Sequence, residues 1–89
     1  MLTKCIALEY APSIRVNAIL PGLVRTPMIE QRFTEAEDPK ALEESYASLY
    51  PLHKMGKIED MANAIAFLSS DESGFITGEI MQVCGGSLI

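Results

Sequence analysis

At 89 residues and 9.7 kDa the chain is at most one small domain, and one of that size buries only a modest fraction of its surface. A hydrophobic content of 48% with 21% charged residues is ordinary globular composition and excludes wholesale disorder. The net charge of -5, with 7 basic residues scattered along the sequence, leaves no Lys/Arg cluster to neutralise phosphates, which argues against a nucleic-acid partner or an anionic membrane surface.

Met1 to Ala11 reads as a helix, with Met1, Cys5 and Leu8 on one apolar stripe, Leu2 and Ile6 beside it, and Lys4 and Glu9 outside. No Ser, Thr, Asp or Asn precedes Met1 to cap it, so the sequence looks cut inside a helix. Pro12 biases Ala11 away from the helical region, and Ser13 completes a short connection. Ile14, Val16, Ala18 and Leu20 then alternate with Arg15, Asn17 and Ile19, and this period of two with its β-branched content predicts a strand. Pro21 and Gly22 stop it. Proline donates nothing to a ladder and glycine can take φ > 0, so the chain is expected to leave the sheet sharply at the carboxyl end, where open parallel sheets bind ligands.

From Leu23 to Asp38 no period holds, and a surface excursion with a helical turn around Ile29 to Phe33 is expected. Asp38-Pro39 is a cap followed by proline at the first helical position. Leu42, Tyr46, Leu49 and Tyr50 recur at i, i+4, i+7 and i+8, which predicts an amphipathic helix ending at Pro51. After a loop from Leu52 to Gly56, Glu59 and Asp60 favour the positive end of another helix. Met61, Ala64, Ile65 and Leu68 form its stripe, and Ala62 and Ala66 widen it for close packing. Ser69 to Gly78 is turn chemistry, and Ile80 to Val83, bounded by Gly78 and by Gly85-Gly86, predicts a short strand. Strand, helices and strand make one right-handed α/β crossover with parallel strands. Such a unit keeps open edges and a bare face, so its sheet needs strands that the sequence does not contain.

Cys5 and Cys84 sit at opposite ends, with neither metal-like spacing nor a disulfide framework, and two buried thiols in a reducing compartment are expected. The amino terminus has no apolar signal core, and no run approaches the length of a membrane span. A soluble, cytoplasmic chain with no membrane partner and no bound metal is the expectation.

Arg15-Val16-Asn17-Ala18 runs into Pro21-Gly22-Leu23-Val24-Arg25-Thr26-Pro27-Met28. Pro51-Leu52 to Met55-Gly56, Glu59-Asp60-Met61-Ala62, Phe67-Leu68-Ser69-Ser70, Phe75-Ile76-Thr77-Gly78 and Val83-Cys84-Gly85-Gly86 follow in order. These pieces resemble the carboxyl-terminal portion of the short-chain dehydrogenase/reductase family, after its catalytic helix. The resemblance covers nearly the whole chain. It implies that residues 1–89 are a partial domain: the carboxyl-terminal βαβ portion of a Rossmann-like, doubly wound parallel sheet. That portion holds the end of the catalytic helix, a nicotinamide loop, a substrate lid and the last helix and strand.

The resemblance further implies an NAD(P)-dependent oxidoreductase that interconverts an alcohol and a ketone. Its cofactor would be NAD or NADP, its substrate a small-molecule carbonyl or alcohol, and its full-length form a homo-oligomer. On this reading Pro21 and Gly22 shape the loop, the Val24 backbone hydrogen-bonds the nicotinamide carboxamide, and the Thr26 hydroxyl helps to hold it. A planar carboxamide carries both donor and acceptor, and extended backbone presents the complementary pair. The residues alone leave open a plain strand-to-loop turn in which Thr26 caps a helix. The lid residues Ile29, Phe33 and Leu42 give an apolar tendency and no more.

No catalytic residue is assigned. The family's Tyr-x-x-x-Lys pair aligns upstream of Met1, as do its dinucleotide glycines, its catalytic Ser and an accompanying Asn, so the 89 residues alone are expected to be inactive. The alternative implied is a noncatalytic oligomerisation or interaction module derived from the same family. Cys84 stands where the family usually carries an acidic residue, which removes a hydrogen-bond acceptor or ion-pair partner. Tyr50 and Lys54 have the catalytic spacing, but Pro51 breaks the helix that would join them. His53 is read as a surface residue. Glu35 to Asp38 and Glu43-Glu44 are read as a cap and a solvated face.

Overall fold

The computed structural model describes residues 1–87. Helix α1 (Leu2–Tyr10) leads through Ala11, extended as its position before Pro12 requires, to strand β1 (Ala18–Pro21). Helices α2 (Pro27–Glu35), α3 (Pro39–Ala47) and α4 (Ile58–Ser69) follow. A single 3-10 turn (Asp71–Ser73) then precedes strand β2 (Ile80–Val83). The two strands pair in parallel with Ala18 opposite Ile80 and Pro21 opposite Val83, as the crossover predicts.

Strand β1 is shorter than the alternation suggests, starting at Ala18 rather than Ile14. Opposite Val16 and Asn17 lies a turn. The Val16 N–H donates to Thr77 Oγ1 (3.1 Å), the Gly78 N–H to the Val16 carbonyl (2.7 Å) and the Glu79 N–H to Asn17 Oδ1 (2.9 Å), so side chains take part where a ladder would be all backbone. Pro21 ends β1 from inside it. The Ala18 N–H donates to the Glu79 carbonyl and the Gly22 N–H to the Val83 carbonyl. Even-numbered residues therefore supply the donors toward β2, and the missing N–H of Pro21 falls on the side that needs none.

The excursion after Leu23 folds more fully than expected, into α2, because Thr26 caps it and Pro27 occupies its first turn. Helix α3 starts as predicted, with the Ala41 N–H donating to Asp38 Oδ1 at 3.2 Å, but it closes at Ala47 and leaves Tyr50 outside it. In α4 the Lys57 N–H donates back to Asp60 Oδ2 (2.8 Å), which closes the first turn.

Ala7, Phe33, Ala47, Met55, Leu68 and Cys84 form a small buried core. The stripe expected on α1 is not part of it, since Met1, Leu2, Cys5 and Leu8 are exposed. Instead α1 turns Ala7 inward and lays Lys4 on the Gly78 turn, with Lys4 Nζ 3.1 Å from the Gly78 carbonyl. Of the two thiols expected to be buried, Cys84 is and Cys5 is exposed. The radius of gyration is 16.4 Å, with extents of 53 × 24 × 22 Å. A compact domain of this length has a radius of about 12 Å. The accessible surface of 6542 Å² likewise exceeds the value of about 5,100 Å² for a folded monomer of this mass.

Candidate functional site

Two loops leave the carboxyl ends of β1 and β2 side by side, and the segment Tyr50 to Leu52 wedges between them. Gly22 earns its place by space rather than by φ, which is not positive there. A Cβ on Gly22 would lie 3.1 Å from Cys84 Cα and 3.2 Å from Tyr50 Cε1. The paired glycines of the second loop do take positive φ, and a Cβ on Gly86 would meet Pro51 Cγ at 2.9 Å. Two hydrogen bonds fasten the wedge: the Leu52 N–H donates to the Gly85 carbonyl (3.1 Å), and the Leu23 N–H to the Tyr50 hydroxyl oxygen (2.8 Å).

Past Leu23 the loop makes one parallel bridge to Gly56. The Gly56 N–H donates to the Leu23 carbonyl at 3.0 Å and the Arg25 N–H to the Gly56 carbonyl at 2.9 Å. In extended backbone the residue between those two groups directs its own N–H and C=O the other way. That residue is Val24. Its carbonyl accepts from the Thr26 N–H at 2.9 Å, and its N–H has no partner among the described residues. Thr26 caps α2, its Oγ1 accepting from the Ile29 N–H at a long 3.4 Å, which leaves the hydroxyl proton for another acceptor.

Arg25 ties this loop to both following helices. Its Nε and Nη2 reach Glu30 on α2 (2.6 and 3.1 Å), its Nη1 reaches Glu43 on α3 (2.6 Å), and its Cζ lies 5.0 Å from the centre of the Phe33 ring. The hydrogen bond from Arg25 holds the Glu30 carboxyl below the usual carboxylate range, and the same bond raises the guanidinium further. Glu43 is thus an anchor for the loop rather than part of a solvated face. The carboxyl-end loops border an open cleft of ≈ 450 Å³ lined by Gly22, Tyr50, Met55, Met61 and Cys84 among others.

Tyr50 and Lys54 are not on a helix, and the Tyr50 hydroxyl is engaged by Leu23, so the pair forms no dyad. His53 is exposed, with Nε2 2.9 Å from Glu44 Oε1. Among the described residues no cluster of three or more His, Cys, Asp or Glu could hold a metal, and no helix is long and apolar enough to cross a membrane.

The model of a sequence family described as Enoyl-(Acyl carrier protein) reductase matches residues 1–87. The chain belongs to this short-chain dehydrogenase/reductase family. It is 45% identical over 91 residues to Oxidoreductase UcpA of Escherichia coli O157:H7, covering 99% of this chain and 35% of the relative. It is 42% identical over 89 residues to the 3-oxoacyl-[acyl-carrier-protein] reductase FabG of Thermotoga maritima, covering 99% of this chain and 34% of that one. Among solved structures, ElxO with NADP bound superposes with a TM-score of 0.88 at 35% identity, covering 98% of this chain and 34% of ElxO. The chain therefore spans about a third of the length of the curated relatives it matches, with the Rossmann-like α/β fold of the family's solved members.

Within this family member, the turn chemistry singles out Pro21 and Gly22 and the family resemblance adds Val24 and Thr26; all four follow one another from the end of β1 to the start of α2. Sequence patterning missed three groups. Tyr50 was read as a helical core position, although Pro51 already signalled a break there. Arg25 carries no periodic signal. The alternation places Arg15 and Asn17 in a strand and gives them no role, yet both are half-buried and hold the segment from Ser70 to Glu79.

Proposed function

We propose that this chain is the carboxyl-terminal part of an NAD(P)-dependent alcohol/ketone oxidoreductase, supplying the nicotinamide-side loop and the substrate lid. One observation carries the reading: the Val24 N–H is left unspent in a loop where the N–H groups of Gly22, Leu23, Arg25 and Thr26 are all engaged. A carboxamide oxygen is the acceptor that fits it, while the carboxamide N–H reaches the second lone pair of the Val24 carbonyl and the Thr26 hydroxyl donates alongside. The group so held supplies hydride chemistry when bound. The residues of this chain orient its nicotinamide end through Pro21, Gly22, Val24 and Thr26. Helices α2 and α3, linked to the loop through Arg25, form the lid over a small carbonyl or alcohol substrate.

Proton transfer is assigned to residues outside these 89, because the chain offers no tyrosine and lysine in helical register. A cytoplasmic, homo-oligomeric full-length enzyme completes the proposal. A second reading, a noncatalytic interaction module, draws on apolar exposure: Leu2 is 73% exposed, Leu8 81% and Phe75 105%.

The test is a chimera in which residues 1–89 replace the matched segment of the Thermotoga maritima relative, assayed for NADH and NADPH binding and for ketone reduction, beside residues 1–89 alone. The chimera is expected to bind cofactor and turn over, Val24→Pro to abolish measurable binding, and the isolated chain to show no turnover. Cofactor affinity unmoved by Val24→Pro would refute the loop reading. A discrete, well-folded oligomer of the isolated chain together with an inactive chimera would favour the module.

A further inference from the structure

We infer that Tyr50 is a positioning residue for this loop, its phenolic oxygen fixing the peptide group that aims the Val24 N–H; the inference rests on the loop reading given above. The geometry is a chain of peptide planes. Gly22 is anchored to β2 through its N–H on the Val83 carbonyl at 3.0 Å. The next peptide group presents the Leu23 N–H, which lies beyond the end of the ladder and finds the Tyr50 hydroxyl oxygen at 2.8 Å. The peptide after that joins the Leu23 carbonyl to the Val24 N–H. Because a trans peptide is planar, the Gly56 N–H on that carbonyl makes the Val24 N–H point the opposite way.

Two dihedral angles at Leu23 connect these planes, and with both planes held neither angle is free. Remove the phenolic oxygen and the first plane is held only on its Gly22 side. The half-buried Leu23 N–H must then turn toward water, and the direction of the Val24 N–H drifts with it. The ring is placed for this task by two further contacts. Gly22, lacking a Cβ, lets the ring edge approach to van der Waals distance, and Tyr50 Cβ lies 3.5 Å from where a Cβ on Gly85 would stand. Leu52, two residues on, is itself tied to Gly85. A tyrosine is required because a donor to Leu23 would not serve: the loop needs an acceptor at ring length from Pro51, which phenylalanine lacks.

The experiment compares Tyr50→Phe with Tyr10→Phe, an exposed tyrosine on α1, in the chimera, with selective amide exchange at Leu23. Tyr50→Phe keeps the ring and its packing, so folding is retained. The expected result is a cofactor dissociation constant raised roughly fivefold to tenfold, from the loss of one hydrogen bond, with kcat at saturating cofactor unchanged and faster exchange at the Leu23 amide. Tyr10→Phe changes none of these. Unaltered Leu23 exchange in Tyr50→Phe overturns the inference, and so does faster exchange with unaltered cofactor affinity. Val24→Pro separates the two levels. If it weakens binding where Tyr50→Phe does not, the loop reading stands and the positioning role falls; if neither weakens binding, both fall.

Discussion

Arg15→Met should destabilise the folded protein by about 2 to 3 kcal/mol, a figure built from one net hydrogen bond of about 1 kcal/mol for each of the bonds lost. The guanidinium donates through Nη1 to Ser73 Oγ (3.1 Å) and the Ile76 carbonyl (3.0 Å), and through Nη2 to the Ser70 carbonyl (3.0 Å). Ser70 is the carboxyl-terminal cap of α4, so the cation also faces the negative end of that helix. The cost stops short of the penalty for orphaned polar groups, because both carbonyls keep another donor and the Ser73 hydroxyl keeps its own carbonyl acceptors. Ser73 N–H and Oγ remain on Ser70, Asn17 Nδ2 remains on Ile76 at 3.2 Å, and Ser73 Oγ still bonds the Leu68 carbonyl. Methionine keeps most of the stem's volume, which separates hydrogen bonding from packing. The assay is urea unfolding of the chimera at fixed protomer concentration, since oligomerisation shifts apparent stability. A loss under about 0.5 kcal/mol, the size of an ordinary surface substitution, would refute the view that Arg15 clamps the segment leading into β2.

Thr26→Ala removes both the helix cap and the proposed carboxamide contact. It should lower stability by about 1 kcal/mol and weaken cofactor binding by about 0.5 to 1.5 kcal/mol, and Thr26→Ser should restore both; a stability loss with unchanged cofactor affinity would leave Thr26 a cap alone. The Glu30 carboxyl is held below its ordinary range by the Arg25 hydrogen bond. Its contribution is therefore fully present above the unperturbed glutamate value of about 4.3 and lost as pH falls through the lowered folded value. The melting temperature of wild type should accordingly exceed that of Glu30→Gln at neutral pH and converge with it in acid. The gap should also shrink in high salt, because the pair is half-exposed, and a gap constant with pH would rule out the ion pair as its source.

What was legible in the sequence was what local chemistry decides. Ile80 to Val83 is a strand over the residues its flanking glycines mark out, Asp38 caps α3, and the paired strands run parallel because their connection contains helices. What was not legible depended on groups far apart in sequence. Alternation from Ile14 to Leu20 reports polarity, and it marked Arg15 and Asn17 as polar without saying that their partners lie beyond residue 69. The same blindness set the start of β1 four residues too early, because a segment bonded to a turn partly through side chains has the same period as one that bonds to a ladder. Gly22 was singled out for its conformational freedom, whereas the fold uses its missing Cβ; a single chain displays the glycine and hides which property is needed. For Tyr50 the apolar spacing of α3 pointed to a helix face, and its hydroxyl found a backbone donor 27 positions earlier.

Polar and apolar groups are completed to different degrees here, and the contrast bears on how the site is encoded. Among the described residues no buried side-chain nitrogen or oxygen lacks a partner, whereas Leu2, Leu8, Ile14, Ile65 and Phe75 stand in water. Hydrogen bonds are short-ranged and directional, so a set that closes within the chain fixes the loop from Gly22 to Thr26 without outside help. Burial is cooperative over area, and a two-stranded sheet with α4 packed against it supplies little of it to hold those hydrogen bonds against chain entropy. The direction of the Val24 N–H is thus a local property of these 89 residues, while its persistence depends on apolar burial elsewhere in the fold. It follows that substitutions at Tyr50 or Gly56 should disturb the aim of that donor at nearly constant global stability. Truncation of buried apolar side chains such as Leu68 should do the reverse, lowering stability while leaving the geometry of the loop in the folded fraction unchanged.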